Sequence, residues 1–182
     1  CNPNNPTGML LDPTALRSFI AQVSPQATVL VDEAYNELTS VPEESSVVDL
    51  VKDGANVIVC RTFSKIYGMA GLRVGYAITT PEHAAAIRPY LMSFGGNTAG
   101  LAAAIGSYND TEFKRFSKEK VLEARGIIEA AVHSAGLTML PSQANFVFVR
   151  VPDADVVRAR MAERNIMIRG AYGRWKTWSR VS

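Results

Sequence analysis

The sequence predicts an α/β fold: part of a large, mostly parallel sheet with its helices, followed by a small α+β C-terminal portion. Three observations carry this. The runs Thr28-Val29-Leu30-Val31 and Asn56-Val57-Ile58-Val59-Cys60 are short, β-branched and apolar, as in parallel strands buried on both faces. Each ends just before a polar cluster, which is where open α/β sheets place their ligands. The final third then reads as strand, helix, strand, strand. A boundary near residue 122 is expected, with 1–122 belonging to the large domain and 123–182 to the small one.

Local signals place the elements in order. Pro13 to Val23 reads as a helix, because Asp12 can cap its first turn and Pro13 suits the first helical position. After the two apolar runs, Val74-Gly75-Tyr76-Ala77-Ile78 forms a third strand. Beyond Pro81 the pattern turns helical, with Glu82 to Leu91 and Thr98 to Tyr108 separated by Gly95-Gly96. Thr111 to Ala135 is a long helix whose polar side carries Glu112, Lys114, Lys118, Glu119 and Glu123, and Gly136 supplies its C-terminal cap. Asn145 to Arg150 is a strand, Asp153 to Arg164 a helix, and two short strands near Ile166–Arg169 and Ser179–Ser182 complete the chain.

With 182 residues and 47% hydrophobic content, the chain can bury a substantial core. A formal charge of +2 gives no general case for nucleic acid as a partner. Arg158, Arg160 and Arg164 read as a solvated helix face, whereas Arg169 and Arg180 fall in strand-like surroundings. Cys1 and Cys60 have neither metal-ligand nor disulfide spacing, and Cys60 reads as a small core residue. No segment has the roughly 18–20 consecutive apolar residues of a membrane span. A cytoplasmic location is expected, with no membrane partner. His83 and His133 lack partners at useful spacing, and Trp175 and Trp178 read as packing residues.

Three clusters carry chemistry. Thr62-Phe63-Ser64-Lys65 sets a lysine among hydroxyls, and Arg73 follows in Gly71-Leu72-Arg73-Val74-Gly75. A lysine amine forms a Schiff base with an aldehyde, while hydroxyls and a guanidinium can hold a phosphate dianion. Asp32-Glu33-Ala34-Tyr35 follows the first buried strand, so the Asp32 carboxylate lies at a strand end and calls for a cationic partner. Asn2-Pro3-Asn4-Asn5-Pro6-Thr7-Gly8 has the composition of a turn.

Together and in this order, the clusters resemble the fold-type I aminotransferases that use pyridoxal phosphate, within which the chain is most similar to the histidinol-phosphate aminotransferase branch. The resemblance implies that Lys65 carries the Schiff base and the proton between the substrate α-carbon and the cofactor. Asp32 would pair with the ring nitrogen, Asn5 and Tyr35 would reach the phenolic oxygen, and Ala34 would let the ring lie flat. Thr62, Ser64 and Arg73 would bind the cofactor phosphate. Arg180 would grip the substrate α-carboxylate, with Arg169 as a second anion contact. Glu33 is assigned to structure, and Asn145 and Tyr172 are read equally as pocket lining or packing.

The implied reaction is transamination between an amino acid and a 2-oxo acid or oxo phosphate, in a homodimer. Amino acid phosphate decarboxylases and carbon–sulfur lyases share the same clusters, and aminotransferase-like domains also serve as sensors fused to DNA-binding modules. The chain opens inside a motif and ends within an apparent strand, so it reads as most of the second half of a longer enzyme. The family's glycine-rich phosphate-binding helix and ring-stacking aromatic would then lie upstream.

Overall fold

The computed structural model describes residues 1–91 and 95–182. They form mixed helix and sheet in two compact units. One comprises Cys1–Asn2 and Leu11–Lys118, the other Pro3–Leu10 and Glu119–Ser182.

In the first unit, helix α1 (Pro13–Val23) begins where the sequence places it, with Asp12 accepting from the Ala15 amide at 2.9 Å and Pro13 following. Strand β1 (Val29–Asp32) runs parallel to β2 (Val57–Thr62), with Val29 opposite Val57 and Asp32 opposite Cys60. Two short helices, α2 (Pro42–Ser45) and α3 (Val48–Lys52), connect them. Strand β3 (Gly75–Ile78) lies antiparallel on the other edge of β2. The described part of this sheet thus has one parallel and one antiparallel pairing.

The core follows from alternation along the strands. Val31, Val57 and Val59 pack with Leu16 and Ile20 of α1 and with Val47 and Val51. Each fully buried aliphatic side chain of this kind contributes roughly 1.5–3 kcal/mol. Leu30 takes the opposite direction and is 59% exposed. Within the described residues β1 is therefore covered on one face: an apolar run fixes the strand, not what covers its second face. Cys60 is half-buried and free, not a core residue.

Helix α4 (Pro81–Ile87) is capped by Thr80 and continues into a single 3-10 turn, Arg88–Tyr90. Helix α5 (Thr98–Tyr108) is capped by Asn97. Helix α6 (Thr111–Ser134) carries the chain from the first unit into the second and ends at Gly136, whose φ of 65° suits a residue without a side chain.

The second unit holds an antiparallel sheet in the order β4 (Met139–Leu140), β5 (Val147–Arg150), β6 (Trp178–Val181), with α7 (Ala154–Ala162) between the last two in sequence. Val132, Val147, Val149, Val151 and Ala154 form its core. Strand β4 was not anticipated. The strand expected at Ile166–Arg169 is absent, and the segment is irregular. Ile168 lines an apolar groove of about 360 Å³ while the Ser179 hydroxyl donates to the Arg169 carbonyl at 2.8 Å, so packing and one side-chain bond hold the segment without a ladder. Arg169 is therefore not on a strand.

Candidate active site

The carboxyl ends of β1 and β2 carry the first group of polar residues. At the end of β1, the Asp32 carbonyl accepts from the Asn2 amide at 2.9 Å, and Asp32 Oδ1 accepts from the Ala34 amide at 3.0 Å, which tightens the turn. Glu33 points into the protein and is fully buried. Its carboxylate accepts from the Val47 amide (2.8 Å), the Ser46 hydroxyl (3.0 Å) and Arg61 Nε and Nη2 (3.0 and 2.8 Å). A buried charge is tolerated when it is paired and its remaining lone pairs are filled, as here. The assignment of Glu33 to structure agrees with this geometry. Tyr35 is buried, and the Lys65 ammonium lies 5.0 Å from its ring centroid.

At the end of β2, Thr62 Oγ1 accepts from the Ser64 amide (3.0 Å) and donates to the Val74 carbonyl (3.3 Å). Phe63 is buried, its ring 4.7 Å from Tyr67 and 5.7 Å from Tyr76. This anchor and the bonds Gly68 N–H to Lys65 O (2.9 Å) and Met69 N–H to Phe63 O (3.0 Å) close the lysine loop on itself. The Ser117 hydroxyl of α6 holds the Ile66 carbonyl at 2.6 Å. Arg73 adopts the left-handed conformation (φ 55°, ψ 46°), uncommon for a residue with a side chain. Its guanidinium returns to the loop, donating to the Ala70 carbonyl (2.7 Å) and the Ser64 hydroxyl (3.4 Å). Burial, with the Asp32 charge opposite, pushes the Cys60 thiol up. Burial pushes the Tyr67 phenol up to about 12.

A second group lies within the second unit. The turn Asn4–Met9 is closed by Gly8 N–H to Asn4 O (2.7 Å) and Asn4 N–H to Met9 O (2.9 Å). Gly8 has φ 75°, and a Cβ there would collide with the Ser142 hydroxyl, so glycine is required on both counts. The turn presents Asn5 Oδ1 to Arg180 Nη1 at 2.9 Å. The Arg180 guanidinium lies 4.9 Å from the Phe146 ring centroid and 5.8 Å from that of Tyr172, while Arg169 lies 4.1 Å over Tyr172.

A family model for class I and II aminotransferases matches residues 1–182. The chain belongs to that family. As a class I and II aminotransferase chain, it is 40% identical over 187 residues to histidinol-phosphate aminotransferase 2 of Ralstonia nicotianae, covering all of this chain and 50% of that protein. It is 37% identical to an aromatic amino acid aminotransferase of a Mycobacterium species, over 95% of this chain and 48% of the relative. Among solved structures, histidinol-phosphate aminotransferase from Sinorhizobium meliloti, in complex with pyridoxal-5'-phosphate, superposes with a TM-score of 0.90 at 32% identity, covering the whole chain and 51% of that structure. The chain spans about half the length of the curated relatives it matches.

In this aminotransferase chain, the anticipated residues Asp32, Tyr35, Thr62, Ser64, Lys65 and Arg73 all belong to the first compact unit, and Asn5, Arg169 and Arg180 to the second. The structure pairs Tyr35 with Lys65, Ser64 with Arg73, and Asn5 with Arg180. Two residues escaped sequence reasoning. Arg61, the charge on β2 that neutralises Glu33, could have been noticed as a cation directly following the strand's apolar run. Phe146, under Arg180, gives no signal beyond its place in an apolar segment.

Proposed function

We propose that the whole protein is a pyridoxal-phosphate-dependent aminotransferase that moves an amino group between an amino acid and a 2-oxo acid or oxo phosphate, most like histidinol-phosphate aminotransferase. The observation that carries this is the placement of Lys65 against Tyr35, in a loop leaving β2, beside the strand that ends in Asp32. The donor set fits the cofactor. An amine suits its aldehyde, a carboxylate at a strand end suits its ring nitrogen, and the Ser64 hydroxyl joined to the Arg73 guanidinium suits its phosphate. When bound, pyridoxal phosphate supplies an electron sink for the substrate α-carbon.

Each side chain then has a definable task. Lys65 Nζ would hold the cofactor through its aldehyde carbon and, once free, would accept the proton from the substrate α-carbon. Asp32 would face the ring nitrogen and favour its protonated form through a charge-assisted hydrogen bond. Tyr35 supplies a donor for the phenolic oxygen and a wall for the lysine stem. Thr62, Ser64 and Arg73 bind the phosphate. Asn5 offers its amide nitrogen to the phenolic oxygen while its Oδ1 serves Arg180, so the two tasks use different atoms. Arg180 binds the substrate carboxylate, and Arg169 stands near it as a second cation for an anionic substrate group.

The parent protein is read as a homodimer, with residues 1–122 in its cofactor-binding domain and 123–182 in its small domain. The direct test mixes the full-length, cofactor-loaded protein with amino acids in single turnover. Transamination predicts loss of absorbance of the aldehyde form together with release of a 2-oxo acid or oxo phosphate. Release of carbon dioxide or of a thiol, without accumulation of the amine form, would overturn it.

A further inference from the structure

Tyr172 sits among charged and aromatic side chains of the second unit. Arg169 lies over its ring at 4.1 Å, Arg180 is 5.8 Å from the same centroid, and Phe148 meets it edge-on at 5.9 Å. Yet its phenolic oxygen is buried with no hydrogen-bond partner among the described residues, and the same holds for Arg180 Nε. Leaving a buried polar group unpartnered is unfavourable, because the group has given up its bonds to water and gained none in return. Packing alone would be served better by phenylalanine. Two unsatisfied donors beside two guanidinium charges describe a site whose missing partner is an acceptor with negative charge. The aromatic faces of Tyr172 and Phe146 shelter the two cations but cannot accept these hydrogen bonds at full strength.

We infer that Tyr172 is a ligand-binding residue whose hydroxyl donates to the same oxyanion that Arg180 binds, a carboxylate or phosphate group of the substrate. This rests on the reading of Arg180 given above. The Tyr172 ring adds a second service by holding the Arg169 guanidinium beside that anion.

The test uses the full-length, cofactor-loaded protein and Tyr172→Phe, which keeps the ring and removes only the hydroxyl. Inorganic phosphate and acetate are titrated separately by calorimetry at constant ionic strength. The parent should bind at least one of them, and Tyr172→Phe should weaken that binding about tenfold, as expected for a lost hydrogen bond to a charged group. A loss confined to phosphate assigns the hydroxyl to a phosphate group, and a loss confined to acetate assigns it to a carboxylate. Unchanged affinity for both, or a parent that binds neither, overturns the inference. Thermal melting adds a second reading. Removing an unsatisfied hydroxyl should leave the midpoint unchanged or higher, and a clear drop would mean that the hydroxyl has a protein partner. Cofactor fixed onto Lys65 in both proteins, with anion binding unaltered, would overturn only the role of Tyr172. Absence of that adduct in the parent would instead strike the functional reading itself.

Discussion

Arg180 Nη1 donates to Asn5 Oδ1 across 2.9 Å, joining residues 175 positions apart in the sequence. An arginine carries several donors in a fixed fork, so engaging one of them sets the direction of the others. On the proposed reading, Asn5 therefore orients the group that binds the substrate carboxylate.

Replacing Asn5 by alanine should raise KM for the amino acid donor. A hydrogen bond to a charged group contributes about 1.5–3 kcal/mol when buried. This one is exposed, so a rise of roughly 3- to 10-fold is expected, because solvent weakens such pairs. Steady-state kinetics on the full-length protein checks it, and an unchanged KM would detach Asn5 from Arg180 function.

The Glu33–Arg61 pair should matter far more for stability than the Arg17–Asp49 pair. Glu33 is wholly buried, so Arg61→Ala leaves its carboxylate without a countercharge and should cost about 3 kcal/mol or more. Arg17 and Asp49 make a shorter contact, 2.6 Å, but in a solvent-accessible setting, and Arg17→Ala should cost about 1 kcal/mol or less. Urea denaturation of the two variants side by side measures the difference. Equal losses would contradict the account.

This contrast shows what the sequence could and could not reveal. Helix α1 was legible because its start is written in adjacent residues, Asp12 and Pro13, and its cap bonds within three positions. The nearness of Ser64 and Arg73 was legible because they lie close together in the sequence, on either side of the loop that carries Lys65. The pairing of Arg61 with Glu33 spans 28 residues and depends on both strands adopting a parallel register, which no local signal encodes. The exposure of Leu30 likewise depends on what covers the sheet, not on the run that contains it. The irregular path of Ile166–Arg169 has the same origin. Alternating apolar residues specify a face to bury, and Ile168 is half-buried along an apolar groove without strand pairing.

Glu37 gives a pH signature. Burial raises its carboxyl above the ordinary value, so the folded protein holds this proton more tightly than the unfolded chain. Its contribution to stability is therefore present in full below the unfolded value and is lost as pH rises through the folded one. Glu37→Gln removes the ionisation, and it should raise the melting midpoint at pH 7 relative to the parent while changing little at pH 4. Melting curves at the two pH values test this, and a variant less stable than the parent at pH 7 would refute it.

On the proposed reading, Lys65 is the amine that holds the cofactor. The decisive measurement is borohydride reduction of the full-length protein after addition of pyridoxal phosphate, followed by peptide mass mapping, with Lys65→Ala alongside. One phosphopyridoxyl group is expected on Lys65, and none in the variant. A label on another lysine, or a Lys65→Ala protein labelled as fully as the parent, would contradict it.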